Sequence, residues 1–153
     1  MNVSLYGLCI ISDTYFEDYP SIRHMSNKHE KRPYYLAVKQ DDGIVWVVPI
    51  SSQAEKYKAK IEADEKKYGT CIFYHVTRLK GKENAFLVGN VIPVTECYIK
   101  KPFTVNGSPF VVQDKNDIKI IKSKLSRYLA LVRNGKLKPA VDILDIECSL
   151  KKK

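Results

Sequence analysis

Two polar segments hold the residues best suited to chemistry. One is KHEKRPYY at 28–35, which carries Lys28, His29, Lys31 and Arg32. The other is PISSQ at 49–53, with adjacent hydroxyls on Ser51 and Ser52. Together they offer hydroxyls, fixed cations and an imidazole that titrates near neutrality. Such a set suits RNA cleavage by the substrate's own 2′-hydroxyl. The nucleophile then belongs to the RNA. The protein supplies a base or positioner for the 2′-OH, donors for the charged phosphorane and an acid for the leaving 5′-oxygen. Arg32 is always protonated and can hold two phosphate oxygens at once. His29 or Lys28 could move the protons. The Ser52 hydroxyl ionises at far too high a pH to act as a base; it would donate a hydrogen bond to phosphate or orient the 2′-OH. This chemistry needs no metal or cofactor, and none is expected.

Ordinary explanations stand beside each of these. Ser51 or Ser52 as the N-cap of the next helix accounts for both serines, at about 1 kcal/mol of helix stability. The two roles are compatible, because free N–H groups at a helix N-terminus also attract phosphate. His24 and His29 fit an exposed loop, and His75 fits a packed position in a strand. Tyr34, Tyr57 and Tyr128 could stack on bases or simply fill a core or its rim.

The elements that must position these residues follow from pattern. Residues 3–12 read as a strand, and Ser12-Asp13 caps a short helical turn through Tyr19. Residues 20–33 are polar and basic, with Pro at both ends, and form a loop. The runs YYLAVK and IVWVVPI flank QDDG, a strong hairpin signal. Antiparallel pairing of those runs lays residue 34 beside residue 50, which brings Arg32 and its neighbours towards Ser51 and Ser52. Pro49 cannot donate a ladder bond, so it marks a strand end or a bulge. Residues 53–67 are good helix formers with a thin apolar stripe at Ala54, Tyr57 and Ile61. Residues 70–79 form a strand, residues 85–99 a pair of strands bent near Gly89 and Pro93, and Asn106-Gly107 a tight turn before a last short strand. The clearest helix covers 116–134, capped by Asn116 or Asp117, with Ile118, Ile121, Leu125, either Tyr128 or Leu129, and Val132 facing the core. Pro139 opens a final short helix through Ile146.

Charge is unevenly spread. Residues 1–99 hold 13 Lys or Arg against 12 Asp or Glu, whereas residues 100–153 hold 13 against 5. A basic half of this kind suits a polyanion, and Lys115, Lys119, Lys122, Lys124, Arg127 and Arg133, off the apolar stripe of the long helix, fit an RNA footprint or a solvated surface equally. No apolar run approaches the ~20 residues that span a bilayer, and MNVSLYGLCI lacks the features of a signal peptide, so a cytoplasmic protein without a membrane partner is expected. The four cysteines form no CxxC pair, which argues against zinc; Cys9, Cys71 and Cys97 read as buried thiols. No phosphate-binding glycine loop, HExxH or GxSxG occurs, so conventional nucleotide-binding, metallohydrolase and esterase functions find no support. The whole is expected to be a single α+β domain over 1–153, with an antiparallel sheet strongly bent near Gly89 and Pro93 towards a partial barrel.

The order and spacing of three stretches resemble the endoribonuclease toxins of type III toxin–antitoxin systems, the ToxN, AbiQ and CptN group, and CptN-like members most. These are KHEKRPYYLAV, IVWVVPISS followed by a lysine-bearing helix, and FLVGNVIPV. The resemblance implies a sheet closing towards an SH3-like barrel of the MazF and CcdB type, surrounded by helices. It implies a metal-independent endoribonuclease that leaves 2′,3′-cyclic phosphate. Its inhibitor would be a pseudoknot RNA antitoxin, cut by the toxin from a repeat precursor and assembled with it into a closed protein–RNA complex. By position, the family's essential serine falls on Ser52, its preceding hydroxyl residue on Ser51 and a basic residue on Arg32. A tyrosine catalytic in some members would fall near Lys28, which leaves Lys28, His29 and Tyr34 eligible for proton transfer. A family lysine would fall on Ala54, with Lys56 the nearest substitute. Lys31, Tyr34, Lys56, Lys115, Lys119, Lys122 and Arg133 are the expected RNA contacts. A non-catalytic RNA-binding module with a barrel core is the alternative.

Overall fold

The computed structural model describes residues 3–22 and 27–152; His24 lies outside them. The chain order is β1 (Leu8–Ile11), α1 (Asp13–Asp18), β2 (Tyr34–Lys39), β3 (Val45–Ser51), α2 (Ala54–Tyr68), β4 (His75–Leu79), β5 (Lys82–Phe86), β6 (Ile92–Val94), β7 (Ile99–Pro102), β8 (Thr104–Val105), β9 (Ser108–Pro109), α3 (Lys115–Arg133) and α4 (Ile143–Lys151). This is an α+β architecture.

β3 is the organising strand. All seven of its residues are buried, so it needs partners on both edges and cover on both faces. β2 takes one edge through the expected hairpin, with Tyr34 opposite Pro49 and a bulge between Leu36 and Val38. The turn is fixed by Gly43 at φ 87° and by the Asp42 carboxylate, which accepts from Ile44 N–H at 3.0 Å. The other edge is shared: Val45, Trp46 and Val47 pair with β6, and Ile50 and Ser51 pair with β5. Pro49 therefore lies inside the strand, where that edge passes from one partner to the next. Its carbonyl accepts from Leu87 N–H at 2.9 Å, and its missing N–H sacrifices no ladder bond at the handover.

The main path runs β4-β5-β3-β2-β1-β7, antiparallel throughout, with β6 branching from β3. Among the described residues no pairing joins β4 to β7, so the seven-stranded sheet is open and the expected closure into a barrel does not occur. The branch at β3 spends an edge on β6, and the path's two ends are met by other structure. His75 on β4 is bound by Asp117 of α3, and Lys100 on β7 by Glu30 of the loop before β2. Protected edges of this kind block pairing with other chains without closure.

The helices cover the sheet through the faces their sequences make apolar. α3 buries Ile121, Leu125, Tyr128 and Val132 in the main core. Its cap is Asp114, two or three residues earlier than expected; the side chain accepts from the N–H groups of Asn116 and Asp117. α4 begins at Ile143 rather than at Pro139, because Asp142 caps it. α2 buries only Ala54 and Tyr57, against a small cluster with Ala85 and Leu87. Burying a large side chain such as Trp46 or Val47 of β3 contributes about 1.5–3 kcal/mol, and Val47→Asp would break the sheet at its centre. Cys9 and Cys71 are buried, but Cys97 is exposed on a 3-10 turn, since the strand expected there is interrupted. No helix among the described residues is long and apolar enough to cross a membrane.

Candidate functional site

One end of the sheet gathers both polar segments. The C-termini of β1 and β3 and the N-termini of β2 and β7 all lie at this end, as the antiparallel registers require. The basic loop is laid across it by specific bonds. Asn27 donates through Nδ2 to Ile11 O at 2.9 Å and to Asp13 Oδ1 at 2.8 Å. The Glu30 carboxylate accepts from Asp13 N–H at 2.7 Å and pairs with Lys100. These tethers hold Lys28, His29 and Glu30 at φ 52°, 55° and 63°. Three successive non-glycine residues in the left-handed region cost on the order of 1–2 kcal/mol each, a strain that persists only where the surroundings impose it. Lys28 and His29 stand exposed at the resulting tip.

Arg32 ends the loop and is buried. Its Nη1 donates to Ile50 O at 2.9 Å, and Ile50 N–H donates to Pro33 O at 3.1 Å. The hairpin thus brings Arg32 within hydrogen-bond reach of the residue before Ser51. Arg32 also fastens the loop to β3, a structural duty the sequence did not reveal. Lys31 turns the other way, into a recess of about 360 Å³ with Lys101, Phe103 and Thr104 beside β7.

The two serines differ sharply. Ser51 is buried, pairs with Ala85 and accepts Gln53 N–H on its Oγ at 3.1 Å. Ser52 is exposed and makes no hydrogen bond to the described residues. Neither is the N-cap of α2. That position belongs to Gln53, whose side chain makes no capping bond. The first turn of α2 therefore offers N–H groups that no capping side chain occupies.

Several expected contacts sit elsewhere. Tyr34 is fully buried, and burial raises its phenol far above the usual range despite the nearby Arg32 charge. It can neither stack on RNA from there nor exchange a proton near neutrality. Arg133 donates to both carboxylate oxygens of Glu147, at 3.0 and 3.3 Å, and lies over the Trp46 ring. It serves the α3–α4 packing rather than the basic face. Lys115, Lys119 and Lys122 are exposed on α3 and form no ion pair among the described residues. Lys56 is exposed, with its ammonium 5.3 Å from the Tyr57 ring centre. His75 is packed as expected: its Nε2 lies 2.9 Å from Asp117 Oδ1, and Thr77 donates to Asp117 Oδ2 at 3.0 Å. No cluster of three or more His, Cys, Asp or Glu suited to a metal exists among the described residues.

Sequence reasoning missed Asn27, Glu30 and Lys100, the residues that hold the loop. Their partners are 14 to 70 positions away in the chain, and no local pattern announces them. No family model and no curated protein matches the chain.

Proposed function

We propose that this chain is a metal-independent endoribonuclease of the type III toxin kind, working in the cytoplasm and restrained by an RNA antitoxin. The observation that carries the proposal is Ser52: an exposed hydroxyl with no partner among the described residues, just before an uncapped helix, at the sheet end crossed by a strained basic loop. A serine that only capped a helix would spend its oxygen on a backbone N–H. Ser51 does spend it so, and Ser52 does not.

In this mechanism the scissile phosphate sits over Ser52 and the first turn of α2. Ser52 donates its hydroxyl proton to a non-bridging oxygen, and the free N–H groups of the helix N-terminus add positive potential. The 2′-oxygen attacks phosphorus as a base removes its proton. The bond to the 5′-oxygen breaks, and an acid protonates the leaving group. The products are a 2′,3′-cyclic phosphate and a 5′-hydroxyl. His29 and Lys28, exposed at the loop tip, are the proton carriers. Arg32 positions the loop and contributes a permanent charge.

The antitoxin is a folded pseudoknot RNA, held mainly through its phosphates by Lys115, Lys119 and Lys122. Toxin and RNA units form a closed hetero-oligomer. The strands β5-β3-β2-β1-β7 are the part of the sheet that a MazF- or CcdB-like relationship would share. The test is incubation of purified protein with RNA in EDTA, followed by end-group analysis of the fragments. Cyclic phosphate ends are expected. Persistent absence of cleavage, or fragments with 5′-phosphate ends, would overturn the mechanism. The burial of Arg32 favours the alternative of a non-catalytic RNA-binding module, which binds RNA and never cuts it.

A further inference from the structure

A second concave site lies beside α2. It measures about 320 Å³ and is lined by Lys56, Lys60, Tyr57, Tyr74 and Asn90, with Val91, Val141 and Ile143 among its apolar members. That volume falls within the range of small-ligand pockets. Lys60 holds its ammonium 5.5 Å from the Tyr57 ring centre and 5.7 Å from that of Tyr74, and the two rings are 4.9 Å apart. Neither Lys56 nor Lys60 has a carboxylate partner among the described residues; the nearby Lys58 takes both Glu55 and Glu83. The phenols of Tyr57 and Tyr74 donate to no described residue. A third cation stands behind the wall, where Lys124 donates its ammonium to Tyr74 O at 2.5 Å.

The pocket therefore collects unspent donors, two of them charged, and no acid. Its ligand must be anionic. A bare phosphate would leave the tyrosine rings and the apolar wall without a use. A nucleotide uses all of it, because its phosphate meets the ammonium groups and its base lies against the aromatic wall and Asn90. Lys56 lies in the first turn of α2, and Ser52 immediately precedes the Gln53 cap of that helix, so one strand can pass both places.

We infer that this pocket is a subsite for one nucleotide of single-stranded RNA next to Ser52, with Lys56 and Lys60 on its phosphate and Tyr74 against its base. The identity of the ligand rests on the ribonuclease reading above; the donor-rich pocket does not.

The test measures binding separately from cleavage. A fluorescent single-stranded oligonucleotide with 2′-O-methyl groups cannot be cut by 2′-attack, and its Kd is followed by anisotropy over a salt series. Lys56→Ala/Lys60→Ala is expected to raise Kd at least tenfold and to reduce the salt slope by about 0.7 to 1.4, one or two phosphate contacts on a single strand. Tyr74→Leu, with its fold checked by circular dichroism, is expected to raise Kd about fivefold or more without changing that slope. Lys66→Ala/Lys67→Ala, exposed at the far end of the same helix, is expected to stay within about twofold of wild type, the reach of a distant screened charge. Free adenosine monophosphate should compete where equimolar inorganic phosphate does not.

Equal losses from the two lysine pairs, or none from the pocket pair, overturn the subsite. Equal competition by inorganic phosphate reduces it to an anion site and overturns the base contact. Loss of binding in the pocket variants of a protein that cuts no RNA would instead leave the subsite standing and remove the ribonuclease reading. Ser52-dependent cleavage with unchanged Kd in the pocket variants would remove the subsite alone.

Discussion

Alanine substitution of the two adjacent serines should divide their roles cleanly. Ser51 is buried, and its Oγ accepts the partly buried Gln53 N–H at 3.1 Å. Ser51→Ala deletes the acceptor and leaves that N–H to find water or go unpaired, which costs about 1 kcal/mol. Ser52 is exposed and has no hydrogen bond to lose among the described residues, so Ser52→Ala should lie within about 0.5 kcal/mol of wild type. Trp46 is the only tryptophan and is fully buried, which makes its fluorescence a direct reporter of urea unfolding. A 1 kcal/mol loss corresponds to a midpoint shift of roughly 0.3–1 M urea, or about 2–4 °C in Tm for a chain of this size. A Ser52→Ala shift as large as that of Ser51→Ala would refute the assignment, since Ser52 would then be a structural cap.

Two further outcomes follow from the ion pairs. Arg133→Ala should destabilise the fold by roughly 1–2 kcal/mol in the same urea assay, the figure being kept low because Arg133 is 43% exposed and Glu147 retains Gln40 and Lys151. It should leave RNA affinity within about twofold, whereas removing Lys119 should weaken binding and flatten its salt dependence. The Glu30 carboxyl is held below its ordinary value by the Lys100 ammonium and by Asp13 N–H. Its contribution to holding the loop is therefore complete above the unfolded value near 4.5 and fades as pH falls through the lower folded value. The hydrogen-exchange protection of residues 27–31, taken relative to the intrinsic rate at each pH, should fall below about pH 4.5 in the wild type. In Glu30→Gln it should already be low at pH 6, and a loop equally protected in both proteins at pH 6 would contradict the tether.

What could be read beforehand was local. The Gln40–Gly43 turn between two apolar runs specified the β2–β3 hairpin, and the hairpin alone placed Arg32 beside Ile50. The three- and four-residue spacing of Ile121, Leu125, Tyr128 and Val132 specified α3. What could not be read was pairing over long separations. A strand as apolar as Val45–Ser51 announces burial but not which partners bury it, and its sharing between β5 and β6 is what leaves the sheet open. Asp114 and Asp117 both fit a cap by type, but the Asp117 carboxylate is engaged by His75 and Thr77 of β4. Arg133 looked like part of a basic face because Glu147, its partner, sits on a different helix. Tyr34 alternates correctly for a strand, but only the second layer of structure shows that both its faces are covered. The candidate site was legible as to Ser51, Ser52 and Arg32 being neighbours, and illegible as to which serine keeps its hydroxyl free.

The most direct measurement is the rate of RNA cleavage by purified Ser52→Ala in EDTA, with circular dichroism and urea unfolding run on the same sample. Loss of a hydrogen-bond donor to the phosphorane predicts a rate lower by about a hundredfold or more, with the unfolding midpoint unchanged. A folded Ser52→Ala that cuts RNA as fast as wild type would contradict the placement of the active site.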